Sequence, residues 1–147
     1  MDDDVLSAKY VLEYAYTRSL GSVLARFFDG LREGRIEGIR RANGGVLVPP
    51  AEYDPETSDL LTEFVEVGQS GTVTTWAWQP EPRPTNPVKH PFAWALVRLD
   101  GAETALLHAV DVQSIDEMTT GMRVRVKWAE NRTGSMSDIE CFVPVKS

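Results

Sequence analysis

From Gly71 to Val145 the chain alternates apolar and polar residues with a period of two, and this alternation constrains the fold more than any other feature of the sequence. Successive side chains of a strand point to opposite faces, so alternation marks strands with one face buried. Five such stretches are predicted: Gly71–Trp78, Phe92–Leu99, Thr104–Val110, Met122–Trp128 and Ile139–Val145. The fourth is the cleanest. Met122, Val124, Val126 and Trp128 fall on the inner face, with Arg123, Arg125 and Lys127 outside. Asp100-Gly101 is a hairpin signal between the second and third strands. Gln79 to Pro91, with Pro80, Pro82, Pro84, Pro87 and Pro91, can only be a loop. Ser114-Ile115-Asp116-Glu117 fits a capping box opening one short helical turn, which Gly121 ends. Five strands with a short helix between the third and fourth are the pattern of an OB-fold barrel, with a small sandwich as the rival.

The N-terminal half is less regular. Tyr10, Leu12, Tyr14 and Tyr16 alternate as a short extended segment. Leu20, Val23, Leu24, Phe27, Phe28 and Leu31 recur at helical spacing, with Ser19 as cap and Gly34 as stop. That apolar stripe must cover either the barrel or another subunit. Asn43-Gly44-Gly45 is a turn between Ile36–Arg40 and Val46–Val48, giving a hairpin closed by Pro49-Pro50. Glu63 to Val67 reads as a further strand. The chain therefore divides into an N-terminal segment and helix (1–34), a hairpin region (35–68) and a barrel (69–147), a mainly β architecture.

The charge balance limits the partners. The 147 residues carry a net charge of -7 and no run of Lys or Arg. Nucleic-acid affinity depends on neutralising phosphates, so a nucleic-acid partner is disfavoured, and an anionic membrane equally. No apolar run approaches the ~20 residues of a membrane span. Met1-Asp2-Asp3-Asp4 lacks the basic start of a signal peptide, so a cytoplasmic location is expected.

Chemistry-bearing residues are few. Cys141, the one cysteine, excludes an internal disulfide and a multi-thiolate metal site, and its strand setting reads as a small buried apolar residue. His108 shares a strand face with Leu106 and Val110, a structural position, while His90 sits beside Lys89 in the proline-rich loop, where it could meet a ligand. No nucleophile–base constellation, Walker loop or dinucleotide fingerprint occurs, so no catalytic residue is assigned. The Arg123, Arg125 and Lys127 row could meet coenzyme phosphates or an acidic partner. Trp76 and Trp78 share a strand face and could form a stacking platform.

Several stretches, taken in order, resemble the domain-of-unknown-function-35 family. They are Phe27-Phe28-Asp29-Gly30-Leu31-Arg32-Glu33-Gly34, Val46-Leu47-Val48-Pro49-Pro50, Gly71-Thr72-Val73 and Ala95-Leu96-Val97-Arg98-Leu99-Asp100-Gly101. Gly121-Met122-Arg123-Val124, Asp138-Ile139 and Cys141-Phe142-Val143-Pro144 complete the set. The resemblance implies a helix, a rubredoxin-like zinc ribbon and an OB-fold. Aligned on Gly45, Pro49-Pro50 and Pro55, the four zinc cysteines of that family would fall at Arg41, Gly44, Asp54 and Thr57. None is cysteine, so the resemblance is to a degenerate, zinc-free ribbon, and no metal is carried over.

The resemblance further implies a non-catalytic partner of a thiolase-superfamily enzyme, in a hetero-oligomer that acts on an acyl-CoA. Leu106-Leu107-His108-Ala109-Val110-Asp111 and Arg132-Thr133-Gly134-Ser135-Met136-Ser137-Asp138-Ile139 look most like the branch associated with lipid-transfer-protein-like aldolases of steroid side-chain CoA thioesters. On that reading Leu20, Leu24, Phe27, Phe28 and Leu31 meet the partner. Lys89, His90, Arg123, Arg125 and Lys127 lie near a CoA thioester shared with it rather than bound tightly. The alternative is a stand-alone OB-fold module for acyl-CoA or single-stranded nucleic acid.

Overall fold

The structure, a computed structural model, describes residues 21–145. The Tyr10–Tyr16 segment, the Ser19 cap and Leu20 lie outside them. Helix α1 runs over Gly21–Arg32. Its C-terminus closes as the sequence predicts. Gly34, at φ +81°, sends its N–H to Leu31 O, and the Arg35 N–H reaches Gly30 O, which satisfies carbonyls the helix would otherwise orphan.

A three-stranded antiparallel sheet follows, in the order β2-β1-β3. Its strands are β1 (Glu37–Arg40), β2 (Val46–Leu47) and β3 (Phe64–Glu66). The Asn43 side chain accepts the Gly45 N–H in the β1–β2 turn, and Gly44 takes φ +92° there. Gly38 is required for packing rather than for its φ. A Cβ at that position would stand 2.5 Å from both Leu47 O and Val46 Cγ1.

The remaining strands close a five-stranded barrel: β4 (Ser70–Gln79), β5 (Phe92–Leu99), β6 (Leu106–Val110), β7 (Arg123–Trp128) and β8 (Ile139–Pro144). The order is β4-β5-β6-β8-β7, closing back onto β4. All neighbours are antiparallel except β6 and β8, which run parallel at Val110 and Phe142. That is the OB-fold, and closure removes the sandwich alternative. The helical turn between β6 and β7 is 3₁₀, Ile115–Glu117, with the Glu117 carboxylate accepting the Gln113 and Ser114 N–H groups. A second 3₁₀ turn, Met136–Asp138, precedes β8. Asp138 is buried and its carboxylate gathers the N–H groups of Thr133, Gly134 and Ser135.

Two bulges adjust the alternation. In β4 the register slips between Val73 and Thr75, so Val73 and then Trp76 and Trp78 all reach the inner side. In β8 a slip opposite Lys127 and Trp128 puts Ile139 in the core and Cys141 on the outer wall.

One apolar cluster runs through all three segments. Phe27 and Leu31 of α1 and Ile36, Val46, Val48 and Val67 of the ribbon join Val73, Val97, Val110, Val124, Val126 and Phe142 of the barrel. This corrects the partner-facing reading of the helix stripe for two of its residues. Phe27 and Leu31 are fully buried within the chain, because the ribbon leaves an apolar seam that the helix covers, while Leu24 and Phe28 are half-buried. A smaller cluster lies outside the barrel wall, where Val88 of the proline-rich loop packs on Phe92, Ala109 and Cys141.

Candidate functional site

The basic row on β7 stands on the outer face as alternation requires, but most of its charge is already matched. Arg123 forks onto Asp100 at 2.8 and 2.5 Å. Lys127 Nζ lies 2.8 Å from Glu140 Oε2. Among the described residues Arg125 makes no ion pair. Arg125 and Lys127 line an open groove of about 860 Å³ whose other side carries Asp111 and Glu117. The groove is thus of mixed charge rather than a pure anion trough.

The loop residues divide. Lys89 Nζ donates to Pro84 O and Asn86 O, each at 2.6 Å, so it staples its own loop. His90 Nε2 lies 2.8 Å from Asp111 Oδ1, and Nδ1 lies 2.8 Å from Pro91 O. Through Asp111, His90 reaches the rim of the Arg125–Lys127 groove. The structure therefore gathers His90, Arg125 and Lys127 at one site and leaves Arg123 and Lys89 tied elsewhere. Asp111, Glu117 and Glu140 complete the site; sequence reasoning passed over them because acidic residues are abundant in this chain and nothing in their spacing singles them out.

A second groove, about 490 Å³, lies between the β4–β5 loop and the β7–β8 loop, against β5 and β6. OB-folds bind their ligands at this position. Pro87, Trp94, Leu107 and Met136 give it an apolar lining, and Leu107 is 59% exposed. The Lys127–Glu140 pair stands between the two grooves, since Lys127 lines the first and Glu140 the second. His108 forms part of the floor. Its Nδ1 accepts the Ala109 N–H at 2.8 Å, which leaves the proton on Nε2, 3.5 Å from Met136 O. Burial lowers its pKa.

The one cysteine is not activated. Cys141 is buried, and desolvation pushes its thiol up to about 11, far from a reactive thiolate. Trp76 and Trp78 pack against the core instead of forming an exposed stacking platform.

Zinc fits the ribbon poorly. Arg41 brings a cation to the place of one ligand, Gly44 has no side chain, and the Thr57 hydroxyl donates to Asp59. Asp54 is the one zinc-type donor among the four positions, and it is engaged by Arg41. Among the described residues no group of three or more His, Cys, Asp or Glu is placed to hold a metal.

Comparison with known proteins agrees with this geometry. Residues 64–129, from β3 to the end of β7, match the family described as ChsH2, C-terminal OB-fold domain. This stretch is ChsH2-like, an OB-fold domain similar to the one that family describes. Among solved structures, an Ltp2-ChsH2(DUF35) aldolase superposes with TM-score 0.63 at 23% identity, covering 86% of this chain and 97% of that one. A protein of unknown function from the DUF35 family of Sulfolobus solfataricus superposes with TM-score 0.61 at 21% identity, covering 83% and 88%. The ChsH2-type match bears out the family resemblance read from the sequence, and the two solved structures share its fold. No curated protein matches the chain. Among the described residues no helix is long and apolar enough to cross a membrane.

Proposed function

We propose that this chain is a non-catalytic accessory subunit of a thiolase-superfamily, lipid-transfer-protein-like aldolase or thiolase acting on an acyl-CoA, with a steroid side-chain thioester as the leading substrate class. The observation that carries this reading is the ChsH2-type OB-fold match over residues 64–129. The solved Ltp2-ChsH2(DUF35) aldolase, whose matched chain is covered almost end to end, supports it. So does the site itself, which offers two grooves suited to recognition. In this role the chain stabilises its partner and helps shape the coenzyme entrance. Arg125 and Lys127 are suited to coenzyme phosphates, and the neighbouring apolar groove at Trp94 and Leu107 to the pantetheine or acyl portion. Leu24, half-buried on the helix, remains a candidate for the partner surface, as does Leu20, which lies outside the described residues. The cell compartment that suits such a role is the cytoplasm.

Co-expression with a thiolase-like protein encoded beside it tests the proposal. The expected result is a stable hetero-oligomer by size exclusion, with the enzyme losing activity or solubility when this chain is omitted. An enzyme that is fully active alone and forms no complex would overturn it. In the same complex, Arg125→Glu is expected to raise KM for the acyl-CoA about tenfold while leaving kcat largely unchanged, as removal of uniform binding does.

The second reading, a stand-alone acyl-CoA module, draws on the groove at the usual OB-fold ligand position. Tryptophan fluorescence titrated with acyl-CoA and with a single-stranded oligonucleotide separates the possibilities. Response to acyl-CoA by the isolated chain would favour the module. Response to the oligonucleotide is disfavoured by the net charge of -7.

A further inference from the structure

One group of charges is buried where charge is seldom tolerated, and the accessory role makes no use of it. The side chains of Arg41 and Asp54 are only 6% and 2% exposed. Charged residues this deep occur when they are paired, and here the pairing is extensive. Arg41 Nε donates to Asp54 Oδ2 at 2.9 Å and Nη2 to Asp54 Oδ1 at 3.2 Å, a two-pronged contact. Arg41 Nη1 donates to Glu103 Oε2 at 2.7 Å, and Nη2 lies 3.3 Å from Glu56 Oε1. The Asp54 carboxylate also accepts the N–H groups of Glu56 and Thr57, at 2.8 and 3.2 Å.

The backbone places these groups at two turns. Arg41 closes the turn after β1 with its own peptide groups, donating to Gly45 O and accepting from the Gly44 N–H. Asp54 opens the other turn, where the Ser58 N–H returns to Asp54 O. Glu103 belongs to neither. It lies in the β5–β6 connection of the barrel, where its N–H donates to Val46 O and the adjacent Thr104 hydroxyl bonds Val48. One guanidinium therefore joins both ribbon turns and the barrel.

We infer that Arg41, Asp54 and Glu103 form an ion-pair clamp that takes the structural place of a metal in the ribbon and also fastens the ribbon to the barrel. Arg41, Gly44, Asp54 and Thr57 are the positions at which the zinc of the resembled ribbon would be held, and they disagree with a metal in a specific way. A cation already sits there. At Gly44, φ +92° strains any residue with a ligand side chain. A tetrahedral zinc spends its coordination sphere on its four ligands. Arginine presents five N–H donors in a planar fork, enough to hold Asp54 with two and still reach Glu103. The ribbon is then independent of both metal and thiol redox state.

Thermal unfolding of the full chain tests the clamp. Arg41→Lys keeps the charge but loses the fork, and Asp54→Asn keeps the shape but loses the charge. Each is expected to lower Tm by about 5–10 °C, since each strands a buried partner. The double replacement Arg41→Met with Asp54→Leu strands neither, and is expected to cost no more than the worse single change. A chelator is expected to leave the wild-type Tm unchanged. A chelator-sensitive wild type, single variants that melt normally, or a double variant whose loss equals the sum of the singles would each overturn the clamp. Glu103→Gln covers the case in which the other variants fail to fold. By hydrogen exchange it is expected to expose the Gly45 and Val48 amides while the β7 and β8 amides stay protected; unchanged ribbon protection would overturn the link to the barrel.

Discussion

His108 shows how much a single residue owes to its surroundings. Strand parity assigns it to the inner face, and the structure adds why it is neutral there. Burial penalises the imidazolium and holds its pKa below the ordinary 6.5. The unfolded chain therefore takes up this proton first as the pH falls. Stability from this group is complete above about 6.5 and is lost as the pH drops from there toward the depressed native value. We expect the denaturant midpoint to fall between pH 7 and 5, and His108→Gln to remove that part of the slope. An NMR titration in which the His108 imidazole titrates at or above the ordinary value would refute the argument. Arg41 teaches a different lesson. Its sequence position is legible only as a missing cysteine, yet an Arg at one ligand position and an Asp at another is itself a signal of pairing by opposite charge.

At the level of elements, α1 is the case where alternatives left open by periodicity are resolved by packing. An apolar stripe states that something must cover it, not what. Phe27 and Leu31 spend their apolar area on the chain's own core, and Phe28 packs against the same cluster, while Leu24 stays half-buried. Phe27→Ala should therefore cost about 3–5 kcal/mol in urea unfolding, whereas Leu24→Ala at a half-buried position should cost about 1–2 kcal/mol. Equal, small losses at both would return the helix to the partner-facing reading. The β4 bulge carries the same message for strands. Strict alternation would place Val73 and Trp76 on opposite faces, and one extra residue puts both toward the core.

Across the whole molecule, helix, ribbon and barrel are separate in sequence pattern but continuous in core. Ile36, Val46, Val48 and Val67 share one cluster with the barrel strands, and the Arg41–Glu103 contact crosses the same seam. A fragment of residues 69–147 would expose the apolar surface those residues cover. We expect it to bind hydrophobic dyes and to unfold without a sharp transition, unlike the full chain. A fragment melting as cooperatively as the full chain would show that the barrel is self-sufficient.

The sequence by itself determined the strands of the barrel, the faces of β7 and the helix with its glycine stop, because these follow from local periodicity and turn chemistry; closure into a barrel and the faces beyond the β4 and β8 bulges did not. Its resemblance to a zinc-ribbon family marked Arg41, Gly44, Asp54 and Thr57 as standing where that family has cysteines. Only the tertiary structure decided which surfaces are spent and which are free. Ion pairs such as Arg123–Asp100 and Arg41–Asp54 join residues far apart in the chain, and bulges reset parity by one residue without any strong mark in composition. The candidate site was accordingly half legible. Arg125, Lys127 and His90 stood out as cationic or titratable groups on predicted surface. Asp111, Glu140, Trp94 and Leu107 became part of it only when strand pairing brought β5, β6, β7 and β8 onto one wall.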